Sequence, residues 1–108
     1  RQVTIIEREK WQAVTEKLNA DLPPESRRAN LMIEGKNLKE TKGRILKIGE
    51  CRLQISGETK PCAMMDEKFP GLKNALKPDW NGGVFGKVVA GGKVFVGDEV
   101  VWENTKKD

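Results

Sequence analysis

A mainly β fold, a small β-barrel with two flanking α-helices, is what this sequence predicts, and three observations carry that prediction. Short stretches rich in β-branched residues recur along the chain, glycines punctuate them, and only two stretches switch to helical spacing.

At 108 residues the chain has the length of one domain. A domain of that size buries about two thirds of its unfolded surface, enough for one modest core. Charged residues make up 33% and hydrophobic ones 37%, the balance of a soluble globular chain. Apolar runs are far too short for a membrane helix. No signal-peptide pattern is visible and two cysteines are too few for a disulfide framework, so the expected compartment is the cytoplasm. The net charge of +4 suits an anionic ligand or a nucleic acid, yet the lysines are spread along the chain as in many soluble domains. Residues 1–6 read like the interior of a strand, so residues 1–108 are expected to form one domain whose N-terminal lead-in lies upstream.

Residues 2–6 are dense in β-branched side chains and read as the first strand. Over residues 7–19 the period changes: Trp11, Val14 and Leu18 recur at helical spacing behind the acidic Glu7 and Glu9. Pro23 and Pro24 follow, and proline cannot continue a helix. Residues 30–34 read as a second strand closed by Gly35, and Leu38 and Gly43 bracket a loop. In a strand over residues 44–48, Ile45 falls on one face and Leu46 and Ile48 on the other. Gly49 and Glu50 turn the chain, after which Cys51, Leu53 and Ile55 share one face. Residues 63–67 read as a turn or short helix, and residues 69–76 as the second flanking helix, with Leu72, Ala75 and Leu76 inward. The remainder is β: residues 84–89, a hairpin turn at Gly91-Gly92, residues 93–96 and residues 99–102.

With no histidine, no tyrosine and two cysteines, few side chains here can do covalent chemistry. Triads built on histidine are excluded, and no zinc-ligand spacing exists. Cys62 is the first candidate nucleophile. A thiol reacts as its thiolate, which nearby positive charge favours. Lys60 lies two residues earlier, Pro61 restrains the adjoining backbone, and a β fold could bring Arg27 and Arg28 close. A free cysteine is more commonly a small buried apolar side chain, and the residues alone leave both uses open. Cys51, on the parity of Leu53 and Ile55, is assigned to the core.

Arginine presents a planar fork of donors that fits phosphate or carboxylate, and Asn30 adds an amide. At the entrance to a strand, Arg28, Asn30 and Met32 share a face, a polar pair leading into an apolar wall as at the mouth of a barrel. Solvated arginines and an asparagine in a turn fit the same residues. Gly82-Gly83 and Gly91-Gly92 do not open a helix after a strand, so they read as turns and not as phosphate loops.

The run Arg28-Ala29-Asn30-Leu31-Met32-Ile33-Glu34-Gly35 is followed by Ile48-Gly49 and by Gly57-Glu58-Thr59-Lys60-Pro61-Cys62. Then come Pro70-Gly71-Leu72, Gly82-Gly83-Val84 and Gly91-Gly92-Lys93-Val94-Phe95-Val96-Gly97-Asp98. This ordered set, which covers nearly the whole chain, resembles the MOSC domain, the C-terminal module of molybdenum cofactor sulfurases that also occurs as stand-alone bacterial proteins. The resemblance implies a pyruvate-kinase-type β-barrel with flanking helices. It implies a sulfur-carrier or molybdenum cofactor-handling role, with molybdenum ion and pyridoxal phosphate binding among the family's associations. Cys62 matches the family's cysteine, which carries a persulfide or ligates molybdenum. Arg28 and Asn30 match an arginine and an asparagine that help to hold the pterin phosphate in cofactor-binding relatives, and Arg27 matches less closely. The implied partners are a sulfur donor such as a cysteine desulfurase, or a molybdoenzyme.

Two other functions fit less well. A molybdenum-dependent reductase of N-hydroxylated compounds would need Cys62 as metal ligand and a partner supplying electrons; relatives with that activity carry an additional N-terminal region. A non-catalytic barrel binding an anion or nucleic acid would use the positive charge, but most aromatic residues fall at core parities or in turns, a thin stacking surface.

Overall fold

The computed structural model describes residues 2–27, 29–61 and 64–103, with the backbone alone at Ser26 and Arg27. The first half holds β1 (Gln2–Glu7), α1 (Arg8–Leu18), β2 (Leu31–Ile33), β3 (Ile45–Ile48) and β4 (Cys51–Glu58). The second holds α2 (Met64–Lys68), α3 (Leu72–Leu76), β5 (Val84–Ala90) and β6 (Val100–Trp102). Short 3-10 turns occupy Pro24–Arg27 and Pro78–Trp80. No helix among the described residues is long and apolar enough to cross a membrane.

One sheet holds the strands in the order β2-β1-β5-β4-β3-β6. β1 and β2 run parallel, which requires a crossover connection, and α1 lies in it. The other neighbours are antiparallel. A flat six-stranded sheet would set its edges about 24 Å apart, five steps of ~4.8 Å. Yet Ile33 of β2 shares one buried cluster with Ile5, Leu46, Ile48, Leu53, Ile55 and Val84, and Val100 and Trp102 of β6 pack against it. The sheet is therefore curled into a half-barrel around that core, its two edges turned toward one another. Arg52 reaches across β3 to hold Glu103 with two bonds of 2.8 Å, which fastens β6 to the curl. The Arg44 guanidinium lies 4.1 Å from the Trp102 ring centre on the same edge.

The expected faces are present. Leu46 and Ile48 are buried and Ile45 is not, and Cys51, Leu53 and Ile55 point into the core. Trp11 and Val14 of α1 pack with Met65, Leu72 and Leu76 in a second, smaller cluster under the helices. The indole N–H of Trp11 donates to Leu22 O at 3.2 Å. α1 stops at Asn19, ahead of the prolines: Asn19 turns left-handed at φ 52°, and the N–H groups of Asn19 and Ala20 bond back to Glu16 O and Thr15 O.

Three expectations are corrected. The helix expected over residues 69–76 spans Leu72–Leu76, because Pro70 disfavours a helical backbone at Phe69. Where a turn or short helix was expected at residues 63–67, α2 forms over Met64–Lys68, so three helices flank the sheet where two were expected. Residues 93–96 are not a strand, and Gly91-Gly92 does not close a hairpin. Neither glycine has positive φ. Gly92 instead lies against the β3–β4 turn, where a Cβ would sit 2.7 Å from the Glu50 backbone carbonyl. β6 consequently pairs with β3, across the sheet from β5.

α1 is tied to its surroundings by a buried carboxylate. Glu7, 5% exposed, accepts the Leu38 N–H at 3.0 Å and pairs with Lys10 at 3.2 Å. Lys10 also donates to Asp79 O at 2.6 Å. The Lys39 ammonium, bonded to Asp79 at 2.9 Å, holds that exposed carboxyl below the usual carboxylate range.

Candidate functional site

A cavity of about 840 Å3 lies between the facing sheet edges. Leu31, Met32 and Ile33 form one wall; Ile48, Val100 and residues 94–98 form the other. Sites for small molecules and cofactors run to about 300–1,000 Å3, mostly apolar with a few placed polar groups. Here the polar groups come from Arg8, Asn30, Glu34, Lys36 and Asp98.

Local bonding fixes both walls. On the β2 side, Arg8 pairs with Glu34 at 2.8 Å and Glu9 accepts the Gly35 N–H at 2.8 Å, so the first turn of α1 grips the strand's exit. On the other side, Asp98 accepts the Phe95 N–H through Oδ2 at 2.8 Å, and its own N–H donates to Phe95 O at 3.0 Å. The Gly49 N–H donates to Glu99 O at 3.2 Å. This tight loop holds Phe95 64% exposed at the cavity's rim.

Asn30 is the described member of the sequence-predicted set, and it lines the cavity. Its Oδ1 accepts both the Thr4 N–H at 2.9 Å and the Thr4 hydroxyl at 3.2 Å. Its N–H points back to Thr4 O at 3.1 Å, so the pair clasps β2 to β1 just before the Ile5–Leu31 step. With Oδ1 committed, Nδ2 is the group's remaining donor. Asn30→Ala is expected to cost about 1–2 kcal/mol, and Asn30→Asp, which keeps the acceptors, distinctly less. Equal shifts of the two variants in a urea titration would refute this acceptor role.

Cys62 and Arg28 lie outside the described residues, as does the side chain of Arg27, whose backbone closes the turn Pro24–Arg27. Their flanks are described. Leu31, Ile5, Val84 and Glu58 form one cross-strand row. The start of β2 and the segment leaving β4 for Lys60 and Pro61 are therefore on neighbouring levels, about 14 Å apart along the sheet. The Thr59 N–H bonds to Gly83 O at 2.9 Å and steers that segment. Sequence reasoning missed Lys36 and the wall at residues 94–100, since both enter the cavity only when the sheet curls.

The family model for the MOSC domain matches residues 1–101. The chain belongs to the MOSC domain family. YiiM from Geobacillus stearothermophilus superimposes with a TM-score of 0.80 at 18% identity, covering 94% of this chain and 53% of that one. YiiM from Escherichia coli gives 0.78 at 18% identity, covering 98% and 56%. YuaD from Bacillus subtilis gives 0.72 at 22% identity, covering 91% and 61%. The chain thus spans little more than half of each of these structures, and at such identities the likeness is one of fold. No curated protein matches the chain.

The MOSC family is associated with molybdenum cofactor binding. The cavity of this MOSC domain fits such a group on its own terms. Its volume is of cofactor size, its walls are apolar enough for a flat pterin ring, and its rim carries donors for an anionic end.

Proposed function

We propose that this MOSC domain handles molybdenum cofactor or its sulfur, with the cavity between the sheet edges as binding site and Cys62 as the sulfur-bearing residue. The observation that carries the reading is that Asn30, matched to a pterin-phosphate contact in relatives, lines a site of cofactor size. Arg28 would add a guanidinium fork for the phosphate. When bound, the cofactor would supply the metal centre. The chain's part is to exclude water with Leu31, Ile33 and Val100 and to orient the anionic end through Asn30 Nδ2.

As a carrier, the Cys62 thiolate attacks the terminal sulfur of a donor persulfide, such as that of a cysteine desulfurase. A new S–S bond forms on Cys62, the donor's S–S bond breaks, and the donor cysteine leaves as thiolate, so no external oxidant is needed. Lys60 and any arginine close to the sulfur would favour the attacking thiolate. Cys51 is 8% exposed within the core and is not available for this step.

Cys62→Ser is expected to abolish sulfur loading, and Cys51→Ser to leave it intact. Persulfide labelling read by intact mass checks both. Equal loading of wild type and Cys62→Ser overturns the carrier assignment. Molybdenum analysis of protein purified from a cofactor-competent host checks the cofactor assignment separately.

A further inference from the structure

We infer that Lys36 is a second anion anchor of the cavity, at the exit of β2 and distinct from Asn30 at its entrance, and that it takes the sulfonate, carboxylate or phosphate group of a small organic ligand with a flat apolar body. This deepens the reading above, since it rests on the same cavity, but it depends on neither Cys62 nor molybdenum.

The inference comes from accounting for each charged group on the walls. Arg8 is paired with Glu34 at 2.8 Å, so these two largely neutralise each other. Asp98 uses Oδ2 to accept the Phe95 N–H and stands on the wall opposite β2. Lys36 has no ion-pair or hydrogen-bond partner among the described residues. It is also half-buried. A lysine is ordinarily solvated at the surface or paired where it is covered. An unpaired, half-buried lysine lining the same cavity as Leu31, Ile33, Ile48 and Val100 has the makings of a ligand contact.

Geometry sets the polarity of the ligand. Lys36 follows Gly35 directly, and the Gly35 N–H is already bonded to Glu9, so the Lys36 ammonium is the charged donor offered at this corner. Asp98 repels negative charge on the far wall. The anionic group that Lys36 holds therefore lies toward the exit of β2, with the ligand's apolar body against the aliphatic walls.

The test uses two dyes of similar shape, anilinonaphthalene sulfonate and its uncharged analogue phenylnaphthylamine, titrated by fluorescence into the folded chain. Lys36→Gln should bind the sulfonate about tenfold more weakly, as loss of a charge-assisted contact would give, and bind the neutral dye as wild type does. Lys36→Arg should restore sulfonate binding. Val100→Phe, which fills the cavity, should weaken both dyes, with circular dichroism confirming that the variant is folded. Unchanged sulfonate affinity in Lys36→Gln, equal loss of both dyes, or no binding of either dye to wild type overturns the anchor. If Val100→Phe leaves both dyes bound, the cavity itself is not the site and the cofactor placement above fails with it. Sulfur loading of Cys62 is read separately and can survive that outcome.

Discussion

Gly83→Ala lowers the stability of the fold by about 4 kcal/mol, a large fraction of what a domain of this size possesses. Two costs add at this position. Gly83 has φ +89°, where a side-chain-bearing residue loses about 1–2 kcal/mol. An added Cβ would also run into the carbonyl oxygen of Ile5 and lie 3.0 Å from Ile6 Cγ2. A backbone atom of a central strand cannot swing aside, so the collision costs a further 1–3 kcal/mol or so. Gly43 supplies the matched control, with the same φ of +89° and nothing within 4 Å of the added carbon. Gly43→Ala should lose only about 1–2 kcal/mol, the conformational part alone. Urea midpoints for the two variants measure the difference. Equal losses would mean that β1 and the start of β5 are not in the close contact described. The variant also bears on the site, because Gly83 O accepts from Thr59, at the start of the path toward Pro61 and Cys62.

What could be read from the sequence followed from local periodicity. The parity of Cys51, Leu53 and Ile55 and the spacing of Trp11 and Val14 identified buried faces, because one side of each element must meet a core whatever the topology. Of the two places that its step from Asn30 allowed for Met32, the core or a pocket wall, it takes the wall, 43% exposed, although Leu31 and Ile33 of the other parity line the cavity as well. The late start of the helix at Leu72 has a local cause in Pro70, but the two larger failures involve contacts distant along the chain. Residues 93–96 have strand-like composition, but the packing of Gly92 on Glu50 and the Asp98–Phe95 bonds bend them out of the sheet. No window of sequence contains both partners of the Gly92–Glu50 contact. The cavity is illegible for the same reason, since its walls come from residues 30–36 and 94–100 and meet only through the curl of six strands. Lys36 looks like any surface lysine until Arg8 is seen to be taken by Glu34.

Lys10→Met costs more than Glu7→Gln, although the two residues form one ion pair. Breaking a covered pair is expensive in proportion to how badly the remaining charge is left. The side chain of Glu7 is 6% exposed and that of Lys10 is 19% exposed. Without Lys10, the carboxylate keeps, among the described residues, only the Leu38 N–H and is largely cut off from bulk water, so a loss of about 2–3 kcal/mol is expected. Without the Glu7 charge, Lys10 still donates to Asp79 O at 2.6 Å and retains some hydration. The amide oxygen introduced by Glu7→Gln still accepts the Leu38 N–H, so that change should cost about 1 kcal/mol. The asymmetry yields a sharper expectation: adding Glu7→Gln to Lys10→Met recovers about 1 kcal/mol, because it removes the stranded charge. A double-mutant cycle in urea measures this, and a double variant less stable than Lys10→Met alone would sink it. Leu38 follows Lys36 by two residues, so the carboxylate that holds its N–H also fixes how the chain leaves the cavity wall. Lys10→Met and Glu7→Gln both keep that bond, so both should leave sulfonate binding unchanged while the fold persists.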